Sequence, residues 1–168
     1  MKKLAIVVLG KRNAGKSSTW YELFGRTLRS GYRTLRLPTT GVNVFLKNSS
    51  FEETNEVIDI EVFLRNASFE EAGGEAEEFF GEDLLDILLI SVQYIEKGIE
   101  TIRWLQEHGY YLYIQWLKPG YHGMKDYDDY LEVEKEFKEA GTFTIMSGKE
   151  KPQRVNVIRS FLMSWVTK

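Results

Sequence analysis

The chain has 168 residues, a formal net charge of −3 at pH 7 and no cysteine. This length predicts one domain over residues 1–168. The missing cysteines exclude disulfides and thiolate chemistry, and the charge gives no reason to expect a nucleic-acid partner. No apolar stretch approaches the roughly 18 residues that a membrane span needs, so we expect a cytoplasmic protein with no such span. Aromatic residues make up 14%, which predicts either a ring-rich core or an aromatic surface for a protein partner.

The chain begins with an apolar run, Leu4 to Leu9, that has the length and composition of a buried strand. This run ends at Gly10, in the segment GKRNAGKSS. The next segment, SSTWYELFGRTLRSG, predicts a helix from about Ser17 to Ser30, with Gly31 as its left-handed cap. After it, RTLRL predicts a short extended piece.

Two later segments, VNVFLKN and EVIDIEVFLRN, alternate apolar and polar residues and are rich in β-branched and aromatic side chains. This pattern is typical of half-buried strands. The short stretch between them suits a hairpin-like connection, so the sequence predicts that these two strands run antiparallel.

The remainder of the chain alternates between strand and helix patterns. The strands are predicted in DILLISVQ, YYLYIQWL and TFTIM, and the helices in YIEKGIETIRWLQEH, DYDDYLEVEKEFKEA and PQRVNVIRSFLMSWV. Such alternation favours a parallel sheet covered on both faces. We therefore predict an α/β fold, a three-layer sandwich whose mostly parallel central sheet has about six strands, one of them antiparallel.

The segment GKRNAGKS satisfies the pattern G-x-x-x-x-G-K-[ST] through Gly10, Gly15, Lys16 and Ser17. Glycines allow backbone conformations and clearance that larger residues would block, so a row of backbone N–H groups can face an anion. The positive end of the following helix adds to this attraction. Lys16 is then expected to reach the β- and γ-phosphates of a nucleotide, and the Ser17 hydroxyl to ligate Mg²⁺.

The motif follows an apolar strand and opens a helix, which is the context that a phosphate-binding loop requires. We therefore expect the whole loop to contact the nucleotide. The candidate residues are Gly10, Lys11, Arg12, Asn13, Ala14, Gly15, Lys16, Ser17 and Ser18.

In layout, nearly the whole chain resembles the Ras-like small GTPases of the P-loop NTPase superfamily, which implies a fold of the P-loop NTPase type. LPTTGVNVF is similar to the switch I segment of that family. This likeness implies that Thr39 or Thr40 meets Mg²⁺ and the γ-phosphate, with Thr40 as the candidate catalytic and metal-binding residue. IMSGKE lies where the family has its loop over the guanine base, which makes Ser147, Gly148 and Lys149 candidates for base contact.

FLRNASFEEAG resembles the switch II loop, but it departs from the family pattern. At the position of the metal-holding aspartate the chain has Arg65, which becomes a catalytic candidate beside Lys16 and Thr40. Either Asp59 or Glu61, on the same predicted strand, is the alternative source of that carboxylate.

The guanine-specifying pattern NKxD is also missing, because the matching strand runs YIQWLKPG. The resemblance therefore leaves GTP and ATP as alternatives. Trp116 and Lys118 are candidates for packing against a base.

Three functions agree with these features. The first is a slow Mg²⁺-dependent nucleoside-triphosphatase or nucleotide switch, with a protein partner at the switch-like loops and the aromatic surface. The second is a small P-loop kinase in which arginines such as Arg65, Arg103 or Arg154 clamp phosphates. The third is a nucleotide-sensing module without catalysis.

Overall fold

A computed structural model gives the fold and describes residues 2–39, 56–67, 85–118 and 128–168. The strands in these ranges are β1 (Leu4–Gly10), β2 (Gly31–Thr39), β3 (Glu56–Arg65), β4 (Ile87–Gln93), β5 (Tyr111–Leu117) and β6 (Gly141–Met146). The helices are α1 (Lys16–Phe24), α2 (Glu96–Glu107), α3 (Val133–Phe137) and α4 (Lys151–Val166).

The six strands form one sheet in the order β2-β3-β4-β1-β5-β6. β2 and β3 pair antiparallel, and every other neighbouring pair is parallel. The predicted α/β class, with a mostly parallel six-stranded sheet and one antiparallel pair, is confirmed. In the part of the chain that the structure describes, no helix is both long and apolar enough to cross a membrane.

β1 is buried on both sides because helices cover both faces of the sheet. Leu4, Ile6 and Val8 pack in a core cluster with α1 and α4. Ala5, Val7 and Leu9 point the other way and pack with α2 and α3. A continuous apolar strand of this kind is what a parallel sheet between two helical layers requires.

Many aromatic side chains of the described residues lie in this interior. Five of the largest fully buried side chains are rings: Trp20, Trp116, Tyr94, Tyr113 and Phe137. Of the two predictions for the aromatic residues, the ring-rich core is therefore confirmed for the described ranges.

The antiparallel pair contains one of the two strands that the sequence predicts for it. β3 is a strand, but its antiparallel partner is β2, which includes the segment RTLRL; VNVFLKN lies outside the described residues. β2 buries Leu35 and Leu37 on one face. On its other face Arg36 pairs with Asp59 across the two strands, as suits an exposed edge.

α1 is shorter than predicted. It ends at Phe24, and Gly25 supplies the left-handed cap with φ 72°. Gly31 also has a positive φ, 139°, but it begins β2 instead of ending a helix. The prediction selected the second of two glycines that could end the helix.

α3 is also short, since Glu132 takes a left-handed conformation with φ 53° and the helix begins only at Val133. Asp129 nevertheless supports the start of the helix, although the N-cap position itself is Glu132. The two carboxylate oxygens of Asp129 accept the backbone N–H groups of Val133 and Glu134, each at 3.0 Å. α2, α4, β4, β5 and β6 lie where the periodicity predicts them.

The connections from two neighbouring strands diverge at the carboxyl edge of the sheet. β1 leads into α1 on one face, and β4 leads into α2 on the other. The two strand ends remain joined, because the N–H of Tyr94 donates to the carbonyl of Gly10 at 2.9 Å. In open α/β sheets such a divergence leaves a crevice in which ligands bind.

Candidate functional site

The loop between β1 and α1 lies beside this crevice and turns sharply. The N–H of Ala14 donates to the carbonyl of Lys11 at 3.0 Å. Asn13 and Gly15 are both left-handed, with φ of 62° and 98°. Arg12 and Asn13 are exposed on its outer side. The loop therefore folds back on itself just before the first turn of α1.

The two motif glycines are required for different reasons. A Cβ on Gly10 would lie 2.8 Å from the Cβ of Ala14 and 3.4 Å from that of Leu117, so this position needs clearance. Gly15 needs its left-handed conformation, which most side chains disfavour. The two glycines thus supply the clearance and the backbone conformation that the sequence predicts for them.

Lys16 is buried within the loop, with 6% of its surface exposed. Its Nζ donates to the carbonyl oxygens of Gly10 at 3.0 Å and Lys11 at 2.8 Å. A buried ammonium group needs such partners to offset its desolvation. The ammonium group of Lys16 is therefore held against the backbone of the loop.

The hydroxyl groups of the first turn of α1 are all engaged. Ser18 and Thr19 both donate to the carbonyl of Gly15, at 2.9 and 3.0 Å. Ser17 instead donates to the carbonyl of Asn66 at 2.8 Å, just beyond the end of β3. Ser17, the predicted metal ligand, therefore connects the loop to β3 although β4 separates β3 from β1 in the sheet.

Asn66 is a residue that the sequence interpretation missed. Its Nδ2 donates to the carbonyl of Leu28 at 2.5 Å, and its Oδ1 accepts the hydroxyl of Ser30 at 2.8 Å. These bonds hold the end of β3 against the segment that follows α1. The carbonyl that accepts from Ser17 is consequently fixed in place.

Arg154 organises a buried polar network behind the loop. The residue is fully buried, and its guanidinium donates to Thr19 Oγ1 at 2.7 Å and Gln115 Oε1 at 3.2 Å. A further bond reaches the carbonyl of Gly148 at 3.4 Å. The predicted use of Arg154 as a phosphate clamp is therefore wrong, since its side chain lies in the core and holds other groups.

The predicted base-contact segment lies in the turn between β6 and α4. The N–H of Lys149 donates to the hydroxyl of Ser147 at 3.3 Å, and Lys149 is exposed. Gly148 is buried and joined to Thr19 through Arg154. The buried side chain of Arg154 thus links this segment to α1. Contact of the segment with a base stays a prediction.

A second group of side chains flanks the loop on the α2 side. The Lys11 ammonium lies 5.6 Å from the centre of the Tyr130 ring, and this ring meets Tyr94 edge-on at 5.2 Å. The Tyr94 hydroxyl donates to Asp129 at 2.5 Å. Burial pushes the pKa of Asp129 up, but the bonds from Tyr94 and from two backbone N–H groups outweigh it and hold the pKa below its ordinary value.

Trp116 does not offer a face to a base in this structure. Only 1% of its surface is exposed, and it stacks on Tyr94 with 5.1 Å between ring centres. Lys118 lies over the Trp116 ring at 5.1 Å. The predicted packing of Trp116 against a base is therefore not supported.

The acidic alternatives on β3 lie away from the loop. Asp59 is six residues before Arg65, about 20 Å along an extended strand, and it binds Arg36. Glu61 accepts the hydroxyl of Thr34 at 2.6 Å. Neither carboxylate therefore takes the place of the missing aspartate near Ser17.

Side chains two positions apart on a strand lie on the same face of the sheet, so Arg65 is on the same face as Phe63. Phe63 packs in the core cluster of α2 and α3. α1 covers the opposite face. Thr40, the other catalytic and metal candidate, lies outside the described residues. The catalytic roles of Arg65 and Thr40 stay predictions.

Among the described residues, no group of three or more His, Asp or Glu side chains could hold a metal ion. Mg²⁺ is usually bound by one or two carboxylates together with substrate phosphates. Ser17 is the predicted metal ligand that lies within the described residues, and its hydroxyl donates to the carbonyl of Asn66.

No protein-family model matches the chain, and no curated protein is similar to it in sequence.

Proposed function

We propose that this protein binds a nucleoside triphosphate at the loop between β1 and α1. The observation that carries the proposal is the buried Lys16, whose ammonium group rests on two carbonyl oxygens of a left-handed, glycine-dependent loop at the start of a helix. The loop also lies where the connections of β1 and β4 diverge, which is the common ligand position in open α/β sheets.

The loop favours phosphate for simple electrostatic reasons. The first N–H groups of a helix have no partner within the helix, and the helix dipole places partial positive charge there. Lys16 can exchange carbonyl oxygens for anionic phosphate oxygens, which form stronger, charge-assisted hydrogen bonds. No acidic residue stands in the first turn of α1 to oppose an anion.

Ser17 is the metal ligand that we propose within the described residues. Mg²⁺ bound to it and to phosphate oxygens would neutralise negative charge on the nucleotide. The Ser17 oxygen can ligate the metal through a lone pair while its O–H still donates to the carbonyl of Asn66. Ser17 would thereby join the bound metal to the end of β3, which supplies a physical link between the nucleotide and the switch II-like segment.

This arrangement supports a slow Mg²⁺-dependent nucleoside-triphosphatase or nucleotide switch over a kinase. Arg103, one proposed phosphate clamp, binds Glu136 on the outside of the α2 layer. Arg154, another, is committed to the core. The segment from Ser147 to Lys149 is our proposed base contact, for GTP or ATP, because Arg154 ties it to α1.

The test is direct. Nucleotide released from freshly purified, denatured protein is identified by chromatography, and the nucleotide-free protein is titrated with ATP and GTP in the presence of Mg²⁺. Replacing Lys16 removes a charge-assisted phosphate contact of about 1.5–3 kcal/mol, so we expect Lys16→Met to bind triphosphate about 10- to 150-fold more weakly.

The control is Lys135→Met, which removes an exposed lysine of α3 and should leave affinity unchanged. Because Lys16 is buried, the fold of each variant is checked by circular dichroism, and Gly10→Ala provides a second disruption of the loop. Wild-type affinity in folded Lys16→Met or Gly10→Ala protein would refute the phosphate-binding assignment. Binding without turnover would identify the non-catalytic sensing module.

A further inference from the structure

A cavity of about 650 Å³ lies at the edge of the sheet opposite the phosphate loop, where β1 and β5 begin. Among the described residues it is lined by Lys2, Lys3, Gly109, Tyr111, Trp165 and Lys168. This volume is within the range of small-molecule sites, about 300–1,000 Å³. About 20 Å of β1 separates it from Gly10, so it is distinct from the site described above.

One wall of the cavity is a fixed aromatic surface. The ring centres of Tyr111 and Trp165 lie 5.2 Å apart. The ring centre of Phe161 lies 6.3 Å from that of Tyr111 and 6.2 Å from that of Trp165. The Tyr111 hydroxyl is tied to Thr142 Oγ1 at 2.9 Å, while 38% of the residue stays exposed. A planar apolar ligand can therefore stack here without reorganising the wall.

The remaining lining is cationic. It contains three lysines and, among the described residues, no carboxylate side chain. None of these lysines forms an ion pair within the described ranges. The Lys3 ammonium lies over the Tyr110 ring at 5.3 Å. A positive pocket on a chain of net charge −3 attracts anions locally.

Gly109 also lines the cavity. This residue has φ 82°, and a Cβ placed there would meet no atom within 4 Å. The residue follows α2 and adds no side chain to the space between the lysines and the rings.

We propose that this cavity is a second binding site, for a small molecule that carries a planar apolar ring and an anionic group such as a carboxylate, sulfonate or phosphate. The ring stacks on Tyr111 and Trp165, and the anion meets the lysines. Neither contact involves the phosphate loop.

The probe for the test is 2-naphthalenesulfonate, with uncharged 2-naphthalenemethanol and inorganic sulfate as partial analogues. Binding is followed through the indole N–H signal of Trp165 in ¹H–¹⁵N spectra, which Trp165→Phe assigns among the four tryptophans. We expect saturable binding of the sulfonate, at least fivefold weaker binding of the alcohol, and no saturable effect of sulfate at the same concentrations.

The variants separate the two kinds of contact. Lys2→Gln with Lys3→Gln should weaken sulfonate binding at least fivefold, and Tyr111→Ser should weaken both the sulfonate and the alcohol. The matched control, Lys135→Gln with Lys138→Gln, changes two exposed lysines, one in α3 and one directly after it, and should have no effect. Lys16→Met should also leave sulfonate binding unchanged. The proposal for this cavity and the proposal for nucleotide binding are therefore tested independently, and either one can be refuted without the other. An unmoved Trp165 signal, or equal affinity in the two double variants, would overturn the proposal.

Discussion

Arg154, on α4, donates from Nη1 to the Oγ1 atom of Thr19, on α1, at 2.7 Å in the core of the protein. Thr19 in turn donates to the carbonyl of Gly15, the left-handed glycine that precedes α1. A buried guanidinium is thus two hydrogen bonds away from the backbone that we propose to hold phosphate. The same side chain reaches the turn after β6 through Gly148.

Arg154→Met should destabilise the protein strongly. It leaves Thr19, Gln115 and the carbonyl of Gly148 without their buried donor, at about 1–3 kcal/mol for each group that finds no replacement. We expect the free energy of unfolding, measured by urea denaturation, to fall by at least about 2 kcal/mol. The control is Arg159→Met on the same helix, where the side chain binds nearer the surface and a loss below about 1 kcal/mol is expected. Equal losses in the two variants would contradict a special role for the buried network.

Ser17→Ala should weaken nucleotide binding in the presence of Mg²⁺ more than in its absence, because the hydroxyl is our proposed metal ligand. The matched control is Ser18→Ala, whose hydroxyl donates only to the preceding Gly15 carbonyl. Calorimetric titrations with and without Mg²⁺ measure the difference. If affinity falls by the same factor in both conditions, Ser17 serves the fold through Asn66 and not the metal.

Gly98→Ala should destabilise the protein even though alanine is the better helix former. Gly98 lies in α2, and a Cβ there would be 2.0 Å from the carbonyl oxygen of Gln93 and 2.9 Å from Val92. Steric strain of about 1–3 kcal/mol is expected to exceed the gain of up to about 1 kcal/mol in helix propensity. Urea denaturation provides the measurement, with Ser160→Ala on the exposed side of α4 as the reference for an unconstrained helix site. A stabilised Gly98→Ala protein would show that α2 does not pack this closely on β4.

Asp129→Asn should reduce stability in a pH-dependent way. In the wild type the carboxylate accepts bonds from Tyr94 and from the N–H groups of Val133 and Glu134. Its pKa is lowered in the folded state. The Asp129 carboxylate therefore stabilises the folded protein fully above the pKa that it has in the unfolded chain, about 3.9. This stabilisation is lost as the pH falls through the lower pKa that the group has in the folded protein.

We expect the variant to be less stable than the wild type by about 1 kcal/mol at pH 7, and this difference to shrink below about pH 4. Thermal or urea unfolding between pH 3 and pH 7 measures it. The neighbouring exposed residue provides the control, because Asp128→Asn should stay within about 0.5 kcal/mol of the wild type throughout. A difference that is the same at pH 3 and pH 7 would rule out the charged form of Asp129 as its source.

Local patterns in the sequence determined much of the fold. The uninterrupted apolar run predicts β1, because a strand buried on both faces is apolar at every position. Apolar residues at every third or fourth position predict α2 and α4, because each helix buries one face. Ile99 and Ile102 on α2, and Val155 and Ile158 on α4, are buried as that period requires. The motif from Gly10 to Ser17 is also readable from the sequence, because its glycines, lysine and serine are close together in the chain.

The tertiary structure alone decided which distant groups meet. Ser17 and Asn66 are 49 positions apart, and Thr19 and Arg154 are 135 apart, so no periodicity connects them. The choice of β2 as the partner of β3 is of the same kind, because strands are selected by pairing and burial across the whole sheet. A short-range pattern shows that a residue is apolar or polar, whereas the partner of a buried hydroxyl or guanidinium is set by the packing of elements that the chain brings together only when it folds.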